Sequence, residues 1–282
     1  MNPRVTILGC GSSGGVPRVG SGWGACDPNE PKNRRRRCSI LVELIGKGGT
    51  TSVLVDTGPD LRDQLLAADV TRLDAALITH EHADHTHGLD DIRPIVLHMR
   101  RILPVYMDQI TSDQMHRKFG YCFTTPAGSS YPPIAREFRI VPGHPIAIEG
   151  PGGDLSVDAF TLDHGEIDAL GFRFGGIAYT PDVKSIPDAV LPFLEGLDVW
   201  IIDALRPTPH PSHFSLSDAL GWIDRMKPRR AVLTNLHTDL DYGALCASLP
   251  DGVEPAYDGM VIGKAGLAAA VDSLWRANGT LR

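Results

Sequence analysis

The 282-residue sequence predicts an α/β protein in which a β-rich unit with outer helices occurs twice. Two hairpin patterns carry this prediction, because each ends at an aspartate, Asp56 in the first half and Asp182 in the second. A second observation is positional. His80, His164, Asp182 and His237 each follow an apolar run that reads as a buried strand. Side chains at strand ends sit on a rigid edge where loops open a cleft.

Val5-Thr6-Ile7-Leu8 reads as the opening strand and runs into Gly9-Cys10-Gly11-Ser12-Ser13-Gly14-Gly15. Glycines there let backbone amides approach an anion, and Ser12 and Ser13 add hydroxyl donors. A plain tight turn fits the same stretch equally well. Residues 18–38 lack periodicity and form a long loop, in which Arg34 to Arg37 could face a phosphate or a partner subunit but read more readily as a solvated charge run. Ser39 to Glu43 and Thr51 to Asp56 pair as a hairpin across Gly46-Lys47-Gly48-Gly49. Asp60 to Ala68 has helical spacing, with Leu61, Leu65 and Leu66 on one face. Leu73 to Thr79 is a short buried strand that delivers His80-Glu81-His82-Ala83-Asp84-His85, and Gly88-Leu89 lead into a helix.

His87 and His98 read as surface or packing residues. Residues 102–150 hold Pro, Gly, Tyr and Phe in short runs, and substrate specificity is expected to reside there. Phe119, Tyr121, Phe123 and Tyr131 offer an aromatic wall for a base or ring, although aromatics at this density usually pack. In the second half, Leu155 to Thr161 is a strand leading to Asp163-His164-Gly165. Phe172 to Phe174 and Ile177 to Thr180 form a hairpin around Gly175-Gly176 and end at Asp182. Val199 to Asp203 and Ala231 to Thr234 are buried strands, and Ser217 to Met226 is a helix with Ser215 or Ser217 near its cap.

Composition narrows the class. The chain is 42% hydrophobic and 22% charged, ordinary for a globular protein, and residues 1–282 are read as one domain. A net charge of -7 argues against broad nucleic-acid binding. Five scattered cysteines argue against a disulfide scaffold, and Cys26 and Cys38 are expected to be free thiols. No apolar run reaches the length of a membrane span, and the first apolar stretch is too short for a signal-peptide core. A soluble protein of the reducing cytoplasm is expected.

Imidazole with carboxylate suits zinc, manganese or iron(II) better than calcium. The run His-x-His-x-Asp-His, followed by a later His, an Asp and a final His, resembles the metallo-β-lactamase superfamily of two-metal hydrolases. The resemblance covers roughly residues 5–265 and implies one αβ/βα four-layer sandwich, with two mixed β-sheets inside and helices outside. It also implies two divalent metal ions, zinc or manganese. His80, His82 and His164 would hold one, Asp84, His85 and His237 the other, and Asp182 would bridge them. Two such ions about 3.5 Å apart share a hydroxide that serves as nucleophile. Asp56 is implied to brace the histidine loop rather than bind metal. Lactamases proper usually lack the bridging Asp and place a Cys among their ligands, which argues against that activity.

A histidine just before a Ser-initiated helix is similar to the proton donor of the phosphodiesterase branches. His213 matches that position best, with His210 second, and a helix-flanking histidine without a role is the alternative. Together with the glycine-serine loop, these residues most resemble the branch that opens ribosyl cyclic phosphates (the PhnP-like branch). The implied substrate is a small phosphodiester or nucleotide contacted by Ser12, Ser13 and His210, without long nucleic acid or membrane, and with a homodimer left open. A thioester hydrolase and a tRNA 3′-end nuclease of the same superfamily are the rivals. A non-catalytic binding protein would have lost ligands, and none is missing.

Overall fold

A computed structural model describes residues 3–263. Strands β1 (Arg4–Gly9), β2 (Ser39–Gly46), β3 (Gly49–Val55), β4 (Ala75–Leu77), β5 (Leu103–Met107) and β6 (Ala135–Arg139) belong to the first sheet. The second sheet contains β7 (Ile146–Ile148), β8 (Leu155–Asp163), β9 (Asp168–Phe174), β10 (Ile177–Thr180), β11 (Val199–Asp203), β12 (Ala231–Thr234) and β13 (Val253–Pro255). Strand β14 (Val261–Ile262) returns to pair with β1, so the sheets run β14-β1-β2-β3-β4-β5-β6 and β13-β12-β11-β10-β9-β8-β7.

Each sheet changes character along its width. In the first, β1, β2 and β3 pair antiparallel, whereas β3 to β6 pair parallel. In the second, β7 to β10 pair antiparallel, and β10 to β13 pair parallel. The anticipated repetition is thus present: a hairpin hands over to parallel strands in both halves, with Asp56 just after β3 and Asp182 just after β10. Parallel strands need crossover connections, and ligands gather beyond their carboxyl ends.

Strand alternation builds the layers. Val53 and Val55 face the space between the sheets, where they meet Val157, Phe172, Tyr179 and Ile201. Leu54 points the other way, into a second apolar layer with Leu41 and Ala76. Helices α1 (Leu61–Ala67), α3 (Arg93–Met99) and α4 (Gln109–Phe123) close that layer through Leu61, Leu65, Ile95, Val96 and Met115. On the far side, Trp200 and Ile202 pack with residues of α5 (Leu191–Leu194), α6 (Leu216–Met226) and α7 (Tyr242–Ser248). A short α2 (Ala83–Thr86) carries part of the histidine loop. The result is the four-layer α/β sandwich expected from the sequence.

The 102–150 stretch, for which no elements were read from the sequence, contains β5, β6, β7 and the 15-residue α4. That helix buries Thr111, Ser112, Met115 and Cys122, a mixed polar and apolar face that shows no clean periodicity in the sequence. One expectation needs correcting: the arginine run is not a solvated stripe. Arg35 is 2% exposed, Arg36 pairs with Asp258 at 3.0 Å and Arg37 with Asp60 at 2.9 Å, while Arg34 lies over Trp23. Alternating arginines in an extended segment face opposite ways, so each finds a different partner.

Candidate metal centre

The sheets meet at one edge. Leu170 N–H donates to the Thr79 carbonyl at 2.9 Å, and Leu236 N–H to the Cys10 carbonyl at 2.8 Å. At this edge a cavity of about 250 Å³ is lined by Ser12, Ser13, Arg18, His82, Asp84, His164, Asp182, Leu205, Arg206, His210, Ser212, His213, Asn235 and His237. A larger apolar hollow of about 420 Å³ beside α1 and α3 contains none of the expected site residues.

The histidine loop follows β4 and is held from behind by Asp56. Asp56 has a positive φ of 67°, a conformation that Asp tolerates better than most residues. Its carboxylate accepts from Thr79 N–H at 2.8 Å and from the Nδ1–H of His85 at 2.7 Å. Thr79 Oγ1 donates to the same carboxylate at 3.0 Å and lies 2.9 Å from His80 Nδ1, which it receives as an acceptor. His164 Nδ1–H donates to the Ser212 carbonyl at 2.6 Å. These partners fix the tautomers and leave Nε2 as the atom that each of His80, His85 and His164 can offer to an ion. Gly58 lets the loop come this close, because a Cβ there would lie 2.1 Å from the Asp84 carbonyl oxygen.

The donors converge in overlapping groups. The ligand atoms of His80, His82 and His164 lie within 4.8 Å of one another, as do those of His80, His85 and Asp182 and those of His164, Asp182 and His213. His80 Nε2 and His82 Nδ1 are 3.0 Å apart, the separation of neighbouring ligands on an ion with bonds of about 2.1 Å. His85 Nε2 lies 3.2 Å from Asp182 Oδ2 and 3.4 Å from Asp84 Oδ2. Asp182 Oδ2 is buried, with the His85 ring nitrogen as its polar neighbour. A buried carboxylate oxygen among imidazole nitrogens fits a divalent cation.

The electrostatics agree. Burial pushes His80 well below its ordinary pKa, so it stays a neutral ligand. Burial also disfavours charge on His85, but Asp182, Asp56 and Asp84 outweigh it and hold its pKa well above normal. Burial alone would raise Asp182, yet His85 holds it well below the usual carboxylate range. The field that charges His85 is the field that attracts a cation.

His237 stands beside these groups rather than inside them. It lines the cavity, but its Nδ1 lies 3.0 Å from Asp239 and its Nε2 contacts Arg18. His213 sits against the cluster, with its ring centroid 4.6 Å from that of His164, and its Nδ1 lies 2.9 Å from Asp203 Oδ2. Burial lowers the His213 pKa, but Asp203 overrides it and raises it to about 9. Burial lifts Asp203 to about 6. His210 is half-buried, accepts from Ser212 N–H at 3.3 Å, and has its pKa lowered by burial. Ser12 Oγ is buried without a partner on the cavity wall, whereas Ser13 is exposed.

Several site residues were not singled out in the sequence. Asp203 and Asn235 end buried strands, as the expected ligands do, and that position was the available signal. Asn235 has φ 60° and donates to the Pro181 carbonyl at 3.1 Å, bracing the Asp182 turn. Thr79, Arg18 and Arg206 carried no comparable signal. Phe119 and Phe123 are packed against the core, whereas Tyr121 and Tyr131 line a separate hollow with Arg93. Cys26 Sγ faces the Thr238 and Leu240 carbonyls, and Cys38 Sγ faces the Gly11 carbonyl, each at 3.5 Å. No helix among the described residues is long and apolar enough to cross a membrane.

Two packed sheets bring imidazoles and carboxylates together at their shared edge, a donor set suited to divalent metal ions. The chain belongs to the metallo-β-lactamase superfamily, since residues 51–235 match the family described as the beta-lactamase superfamily domain. Within it the chain is close to the PhnP family. It is 34% identical to a crystal structure of a new diphosphatase from that family, with a TM-score of 0.81, covering 93% of this chain and 97% of that one. An octanoyltransferase of Porphyromonas gingivalis is 34% identical over 262 residues, 91% of this chain and 51% of that protein. A ribonuclease Z of Bradyrhizobium sp. is 29% identical over 150 residues, 51% of this chain and 46% of that protein. The chain therefore spans about half the length of the first curated relatives it matches. The superfamily implies divalent metals such as zinc, and the donor set fits them.

Proposed function

We propose that this domain is a two-metal phosphodiesterase acting on a small nucleotide or cyclic sugar phosphodiester. His80, His82 and His164 would hold one cation and Asp84, His85 and His237 the other, with Asp182 available to both. When bound, the cations supply Lewis acidity that lowers the pKa of water and polarises a phosphoryl oxygen. The chain's own residues do the rest. Ser12 Oγ offers a hydroxyl donor to a phosphate oxygen, and Arg206 adds positive charge to the cavity wall. His213 delivers a proton to the departing oxygen, and Asp203 keeps it charged and aimed.

The observation that carries this reading is the His213–Asp203 pair beside the ligand cluster. A sugar alkoxide cannot leave without a proton, whereas a thiolate can. A protonated imidazole at this position therefore favours phosphodiester over thioester cleavage. The cavity of about 250 Å³ and the net charge of -7 favour a small substrate over long nucleic acid. The thioester reading is favoured by one fact, that a relative named for octanoyl transfer matches this chain over about half its length.

A screen of metal-reconstituted protein separates the two. Cyclic nucleotides, ribosyl cyclic phosphates, dinucleotides and bis-(p-nitrophenyl) phosphate should be cleaved, and an acyl thioester should not. Faster turnover of the thioester than of every phosphodiester overturns the proposal.

A further inference from the structure

One member of the expected ligand series is held away from the others. In the second set, His85 Nε2 already lies 3.2 Å from Asp182 Oδ2 and 3.4 Å from Asp84 Oδ2. Only His237 is needed to complete that second set. Its Nδ1–H donates to Asp239 Oδ2 at 3.0 Å, with Thr238 Oγ1 at 3.2 Å, so Nε2 is the atom left to bind an ion. That atom is in contact with Nη1 of Arg18.

The position of Arg18 is built into the fold. Its guanidinium lies over Gly14, where a Cβ would stand 2.4 Å from Nε. Its backbone bonds Gly22 in both directions at 2.8 Å, so the residue anchors a small turn on the cavity wall. The same cavity contains Asp84, Asp182 and His237.

We infer that Arg18 is a place-holder for the second cation, occupying His237 Nε2 until a divalent ion displaces it. This rests on the two-metal reading above. A guanidinium keeps its charge at any working pH. It therefore opposes the second ion twice, by covering a ligand atom and by repulsion across a low-dielectric cavity. The two sites are consequently unequal. The set of His80, His82 and His164 is ready to receive an ion, whereas the set of Asp84, His85 and His237 closes only after Arg18 has moved. Arg18 is a positioning residue in this account, acting on His237.

The test is a calorimetric titration of the metal-free full chain with zinc. Wild type should bind two ions in separate steps, the second weaker. R18A and R18M should tighten the second step roughly tenfold or more and leave the first unchanged, because both remove the charge and the Nε2 contact. R18M preserves the packing on Gly14 should R18A prove unstable. R18K, which keeps a cation, should leave the second step weak. A merely structural arginine predicts the opposite, with both steps weakened in R18A and R18M, and that outcome overturns the inference. An unchanged second step in both variants overturns it as well. A single ion bound by wild type and every variant removes the two-metal reading itself, and the place-holder with it.

Discussion

At the residue scale, His213 is where geometry and charge meet. Its pKa of about 9 and its 2.9 Å contact with Asp203 make it a charged donor at neutral pH. His213→Ala should slow alkyl and sugar phosphodiesters by about 10²–10⁴-fold. Nitrophenyl esters should suffer far less, because their leaving group departs as an anion. Equal losses on both classes would instead mark a binding role. The alkaline falling limb of the wild-type rate profile should disappear in the variant.

The same shift has a stability consequence. A histidine whose folded pKa is raised stabilises the fold fully below its unfolded value of about 6.5 and loses that contribution as pH rises through about 9. The advantage of metal-free wild type over His213→Gln should therefore shrink across that window in denaturant titrations, and a flat difference would contradict the assignment. Asp182→Ala should abolish most metal binding beyond the first ion, measurable by elemental analysis. Two tightly held ions in that variant would remove its bridging role.

At the scale of elements, the site depends on two turns. The first joins β3 to α1, where Gly58 lies against the Asp84 carbonyl. Gly58→Val should force the histidine loop outward and lower metal affinity, with a loss of stability in the range of about 1–3 kcal/mol typical of overpacking. The second turn joins β11 to α6 and carries His213. Ser215 caps α6 through a capping box with Asp218, accepting from its N–H at 3.2 Å while the Asp218 carboxylate accepts from Ser215 N–H at 2.9 Å. Ser215→Ala should cost about 1 kcal/mol in chemical denaturation. Activity on alkyl phosphodiesters should fall with it, and unchanged activity would show that His213 is held by Asp203 alone.

At the scale of the whole molecule, the candidate ligands come from both sheets. His80, His82, Asp84 and His85 follow β4, while His164 and Asp182 follow β8 and β10. An ion held by these residues would tie the two halves of the sandwich together. An ion that binds only the folded state stabilises it by mass action, about 2.7 kcal/mol at a hundredfold excess over the dissociation constant. Chelation should lower the melting temperature by several degrees, and readdition of zinc or manganese should restore it. A melting temperature indifferent to chelator would mean that the donors do not bind metal in the folded protein.

The sequence alone determined the two hairpins, the buried strands that lead to His80, His164 and His237, the repetition of the half-unit, and the cluster of candidate donors in the histidine loop. These are local patterns: alternation and apolar runs mark strands, and six consecutive residues of unusual composition mark the loop. Asp56 and Asp182 were legible for the same reason, since each ends a hairpin. Only the tertiary structure decided which distant side chains meet. Asp203 reaches His213 because parallel strands deliver their carboxyl ends to one edge, and Arg18 reaches His237 across more than two hundred residues. The buried Arg35 is the clearest case. In sequence it is one of four like charges, but in the fold its guanidinium donates to the His237 carbonyl at 3.3 Å and to Asn33 Oδ1 at 3.2 Å. The His237 carbonyl comes from a remote segment, so that partner of the buried charge exists only once the sheets have packed.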